Sequence, residues 1–213
     1  MNNKFEYRCG TSLIIASLLM VVTMVMHPAG GSIEYLWKIS SMIMITHSIA
    51  LISVPFGLLG FWGLTKRLDS GNILSIGAFI TMGLGTIAVM CAAAVNGLVL
   101  PLFINHYRDS TPEKISAIKP FLNYNISLNH AFDLIYIGAA CGAILLWSIV
   151  VLKTGRMPKW FGWLGILLAF IAIGSMIAGF IFFSLTGFRI FIFGFVVWTI
   201  LAGFFLRKEY LIT

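Results

Sequence analysis

From Ser70 to Tyr107 the chain reads SGNILSIGAFITMGLGTIAVMCAAAVNGLVLPLFINHY, with no Lys, Arg, Asp or Glu anywhere in it. A helix crosses the hydrocarbon core of a bilayer with about 17–25 apolar residues, so this run is a membrane span with residues to spare. Further uncharged runs of spanning length extend from Cys9 to Ile33, Ile39 to Thr65, Leu134 to Leu152, Trp160 to Phe188 and Ile190 to Leu206. Trimmed at turn residues and aromatics, the runs predict six helices near residues 11–28, 41–65, 73–100, 126–152, 160–184 and 188–206. The whole composition agrees. Of 213 residues, 60% are hydrophobic and 10% charged, against about 25% charged in a soluble domain. The predicted fold class is all-α: one polytopic six-helix transmembrane domain over residues 1–213, with the lipid bilayer as its solvent.

The first run follows Lys4 and Arg8 and ends near Ala29-Gly30-Gly31, as a cleaved leader would. It is nevertheless longer than the apolar region of a signal peptide, about 7–15 residues, and is read as a retained span. Basic residues beside spans stay on the cytoplasmic side. With the N-terminus inside, Lys4, Arg8, Lys66, Arg67, Lys153, Arg156, Lys159, Arg207 and Lys208 face the cytoplasm. Lys38, Arg108, Lys114, Lys119 and Arg189 face outward, three of them in one longer loop. This bias predicts both termini cytoplasmic, in a cell (inner) membrane of bacterial type. Tyr7, Trp62, Trp160, Trp163 and Tyr210 near the inner ends, and Tyr35, Trp37, Tyr107 and Tyr124 near the outer ends, fit interfacial belts. The net charge of +7 is therefore a topological signal, and no cluster of basic residues resembles a nucleic-acid motif. Cys9, Cys91 and Cys141 are odd in number and lack metal spacing, as expected of small buried side chains.

The longest connection, Leu102 to Asn125, contains Thr111-Pro112-Glu113-Lys114, a helix-start pattern that predicts a short interfacial helix to about Pro120. Small residues that let helix backbones approach are Gly57, Gly60 and Gly63, Gly138 and Gly142, and Gly165 with Ala169. Pro55 is expected to kink the second helix and free the carbonyl of Leu51.

Ionisable groups inside spans are costly and call for a partner or a task. His27 closes the first span at its outer end, His47 lies two turns into the second, and Asn96 lies near the outer end of the third. Asn129, His130 and Asp133 share one face of the fourth, extended outward by Asn125. Asp133 is the one acid that the predicted boundaries place inside a span. The residues leave three readings open. The cluster holds the helix bundle together by hydrogen bonds. Alternatively, His27, His47, His130 and Asp133 ligate a transition metal, or two His hold a haem. In the third reading the cluster is the substrate or proton site of a small-solute transporter. His106, beside Tyr107 and Arg108, reads as a solvated loop residue. No Ser-His-Asp order, P-loop or dinucleotide fingerprint is present, and soluble-type catalysis has no support.

The turn Gly155-Arg156-Met157-Pro158-Lys159-Trp160-Phe161-Gly162-Trp163-Leu164-Gly165 resembles the same turn in small bacterial six-span membrane proteins catalogued as a domain of unknown function. The resemblance implies the six-span plan and an anchor at the inner interface. It implies no activity, cofactor or site residue.

Overall fold

Caps and turns, more than charges, decide where the helices begin and end. The computed structural model describes residues 3–180, 182 and 184–208; Tyr210 lies outside them. The helices are Asn3–Met26, Ile33–Asp69, Ile73–Asn105, the short Pro112–Ala117, then Lys119–Thr154, Lys159–Ile177 and Leu185–Lys208. All but the short one are long and apolar enough to cross a membrane, and no strand occurs among the described residues. The protein is an all-α, multi-pass integral membrane protein.

The second helix starts earlier than its charges suggest because Ser32 caps it, its hydroxyl accepting from the Tyr35 amide at 3.4 Å. It then runs through Pro55 without interruption. Asn72 caps the third helix in the same way, accepting from the Leu74 amide at 3.0 Å. The fourth starts at Lys119 rather than near residue 126, almost continuous with the short Pro112–Ala117 helix. It stops at Gly155, whose φ of 64° is the left-handed conformation that glycine adopts without strain. The fifth helix ends at Ile177, not at residue 184. Gly179 has φ 87°, its amide donates to the Met176 carbonyl at 3.0 Å, and the Phe180 amide donates to the Ser175 carbonyl at 2.8 Å. This pair of bonds is a Schellman closure, and it overrides the apolar run that continues beyond it.

Each span packs against its neighbours in sequence, and the sixth closes on the first, so the bundle is a ring. The first and sixth backbones meet at Gly10 and Gly203, where either Cβ would strike the opposite carbonyl oxygen. Gly60 and Gly63 similarly admit Leu13 and Cys9 of the first span. Gly138, expected to mark a close approach, instead faces open space.

The start of the first helix and the end of the last lie together at one end of the bundle. The Arg207 guanidinium donates to the Tyr7 hydroxyl at 3.0 Å and stacks on its ring, and Arg67 pairs with Glu6 at 3.2 Å. Glu6 is buried at 3% exposure. Asp133 is thus not the sole acid inside a helix: the first helix starts at Asn3 and takes Glu6 in. Above this end, the core is filled by Phe61, Trp147, Trp198 and Phe161. Their rings stack in that order with centroids 5.2, 6.1 and 4.9 Å apart and planes within 20° of parallel. The Trp147 indole N–H also donates to Thr65 at 3.2 Å.

Candidate functional site

At the end away from the termini the ring does not close. A cavity of about 400 Å³ opens there between the first, second, third, fourth and sixth spans. His27, His47, Asn96, Asn129, His130 and Asp133 all line it. The polar residues inferred from four separate helices thus converge on one vestibule, joined by Asn125.

The third span owes its contribution to a local defect. Pro101 has no N–H for the carbonyl of Gly97, and its ring crowds that carbonyl. The Leu100 amide donates instead to the Val95 carbonyl five residues back, and Val95–Val99 forms a π-turn. Such single turns recur at functional sites. Here the turn carries Asn96, which accepts from the Asn125 side-chain amide at 2.6 Å. Gly97 lies against His47 so closely that a Cβ would collide with it.

The two nearest imidazoles are both held by backbone. His47 Nδ1 bonds the Ile43 carbonyl at 2.8 Å, and His27 Nδ1 bonds the Pro28 carbonyl at 3.0 Å. A carbonyl only accepts, so Nδ1 carries the proton in each ring and Nε2 is the acceptor when the ring is neutral. The rings meet edge to face with centroids 4.9 Å apart. On the fourth span the Asn129 amide donates to the Asp133 carboxylate at 2.9 Å, and Asp133 is 7% exposed.

Sharing a cavity is not ligation. Among the described residues no group of three or more His, Cys, Asp or Glu side chains is placed to hold a metal ion. The expected metal set of His27, His47, His130 and Asp133 lines one vestibule but is not such a group in this structure. Nor do His27 and His47 suit a haem. Edge-to-face rings at 4.9 Å leave no space for a porphyrin plane between two axial imidazoles.

Arg189 is the residue whose place the sequence concealed. It was expected to face outward at the start of the sixth helix, but that helix begins a turn earlier at Leu185 and the side chain turns in to the first span. Its Nε donates to the Met24 carbonyl at 3.0 Å and a terminal nitrogen donates to the His27 carbonyl at 2.8 Å. The guanidinium therefore caps the C-terminal end of the first helix, where unpaired carbonyls and the helix dipole favour a cation. The only advance sign is an arginine at the edge of an apolar run. His106, by contrast, lies exposed outside the vestibule beside Tyr107.

Beneath the vestibule, toward the aromatic stack, lies a narrower cavity of about 90 Å³ lined by Phe61, Met20, Met82 and Leu51 among others. Thr23, Met24, Ala50, Val89, Ala93 and Phe188 line both, so the two spaces adjoin. The fifth span contributes to neither. Compared with protein-family models, with curated proteins and with solved structures, the chain matches none.

Proposed function

We propose that the protein binds a small organic solute in this vestibule and is a small-solute carrier of the cell membrane, seen open to the outside. The supporting observation is the convergence of six polar side chains from four spans on one cavity of about 400 Å³. A membrane domain places polar groups at such depth at a cost, and solute sites between helices are where that cost is characteristically met. The opposite half supports the same reading. The Phe61-Trp147-Trp198-Phe161 stack and the Glu6–Arg67 and Tyr7–Arg207 contacts fill it, as one closed gate of an alternating-access carrier requires. The basic residues gathered at the terminal end support a cytoplasmic position for both termini.

The test uses an Asn129→Cys variant in a background with Cys9, Cys91 and Cys141 replaced by Ala. A membrane-impermeant maleimide added outside is expected to label it, and one or more solutes from a panel of organic cations, amino acids, sugars and carboxylates to slow the labelling. No labelling refutes the open vestibule, and labelling indifferent to the whole panel refutes binding. In proteoliposomes, flux of a protecting solute is expected to fall in Asp133→Asn and His47→Ala; undiminished flux removes their role.

An architectural role for the cluster is the second reading, favoured by the Asn96–Asn125 bond that ties the third span to the fourth. It predicts that Asn96→Ala lowers stability by roughly 0.6 kcal/mol, the average for such a bond in a membrane, with no solute protecting at any position.

A further inference from the structure

Resting on the vestibule reading, we infer that the ligand is an amphipathic organic cation, a primary ammonium bearing an unbranched apolar tail that enters the deeper cavity. Two independent features of the walls point to this chemistry. Among the described residues that line the vestibule, Asp133 is the one with a formal charge, and the Nε2 atoms of His27 and His47 add acceptors when those rings are neutral. An ammonium group brings three donors and a positive charge to such a set. Arg189, which reaches the His27 carbonyl, is engaged by two backbone carbonyls and is not among the residues that line the cavity.

The deeper cavity is apolar in a stricter sense than its composition suggests. Ser17, Thr23, Ser53, Thr86 and Thr199 all line it, yet each hydroxyl bonds within the walls, to a carbonyl of its own helix three or four residues back or, for Ser17 and Thr199, to one another at 2.8 Å. Those five hydroxyls have no proton left for a polar ligand. The remaining surface is Leu, Ile, Met, Val, Ala, Gly and aromatic side chains, with the Tyr136 hydroxyl as its other polar group. A head held at Asp133 thus has an apolar cavity adjoining its vestibule, and an alkyl tail is the complement of that cavity.

The experiment uses the full chain in phosphatidylcholine nanodiscs, with binding read by titration calorimetry and empty nanodiscs subtracted. The probes are methyl-, propyl- and hexylammonium, with hexanol and hexanoate as head-group controls. Affinity is expected to rise from methyl- to propylammonium by about fourfold per methylene, as burial of a methylene provides. Hexylammonium is expected to bind at least about tenfold tighter than hexanol or hexanoate, as an ion pair replaced by a neutral or like-charged contact would give. Asp133→Asn, which keeps an acceptor for Asn129, should abolish the preference for the ammonium head. Gly57→Leu should abolish the gain with tail length and leave methylammonium unchanged. Gly57 lines the deeper cavity, and an added Cβ there meets nothing closer than 3.8 Å. Equal binding of hexanol and hexylammonium overturns the cation. Tail-independent binding of ammonium overturns the tail. Both leave solute protection of Asn129→Cys standing, whereas failure of that protection with every solute overturns the vestibule reading itself.

Discussion

Replacing Arg189 by Met keeps an apolar stem of similar reach and removes the guanidinium from two carbonyls at the end of the first helix. The bonds, 3.0 Å to Met24 and 2.8 Å to His27, are charge-assisted, and such bonds are each worth about 1.5–3 kcal/mol when buried. Arg189 is only half-buried, so water replaces part of what is lost, and the expected net cost is about 2 kcal/mol, between one and two such bonds after that discount. That is about thirtyfold in the folding equilibrium. The assay is reversible unfolding in mixed micelles, followed by the fluorescence of the six tryptophans. Arg189→Lys should recover part of the loss, because an ammonium still neutralises the helix end but lacks the planar fork that reaches both carbonyls. A loss within about 0.5 kcal/mol, the range of ordinary surface substitutions, refutes the capping role. So does an identical cost for Met and Lys.

Gly97→Ala must displace His47 and should cost about 1–3 kcal/mol, the usual range for overpacking. Gly138→Ala, which meets open space, should be neutral or gain up to about 1 kcal/mol of helix propensity; similar costs at the two sites in the same unfolding assay would contradict the packing described. Trp147→Phe should cost about 1 kcal/mol through the bond to Thr65. A double-mutant cycle with Thr65→Val should show that energy as coupling, and zero coupling would count against the bond. Protein prepared without chelator should carry no stoichiometric transition metal and no haem band. Stoichiometric metal that disappears in a His47→Ala, His130→Ala double variant would restore a metal centre. A reporter active only in the cytoplasm, fused after Thr213, should be active, and silence would invert the topology.

Much of the fold was legible because membrane insertion depends on one-dimensional quantities: run length, absence of charge, and the placement of Lys and Arg. The candidate site was legible for a related reason. A His, Asn or Asp inside an apolar run is conspicuous, so His27, His47, Asn96, Asn129, His130 and Asp133 stood out before any packing was known. What misled was the use of charges as helix ends. Arg189 sits inside a helix because its long stem lets the guanidinium reach backbone carbonyls of a neighbouring span. Glu6 is inside one because Arg67 meets it. The fifth helix ends early because of Gly179, whose backbone geometry no hydropathy count contains.

The sequence by itself determined six apolar helices and the polar residues they carry, since both follow from local composition and chain direction. Only the tertiary structure decided which faces of the helices meet. That choice depends on side-chain shape and on backbone contacts such as Gly10 with Gly203 and Gly97 with His47. It turned six polar residues from separate helices into the lining of a single vestibule that adjoins an apolar cavity, with no group of three or more His, Cys, Asp or Glu among the described residues placed to hold a metal ion.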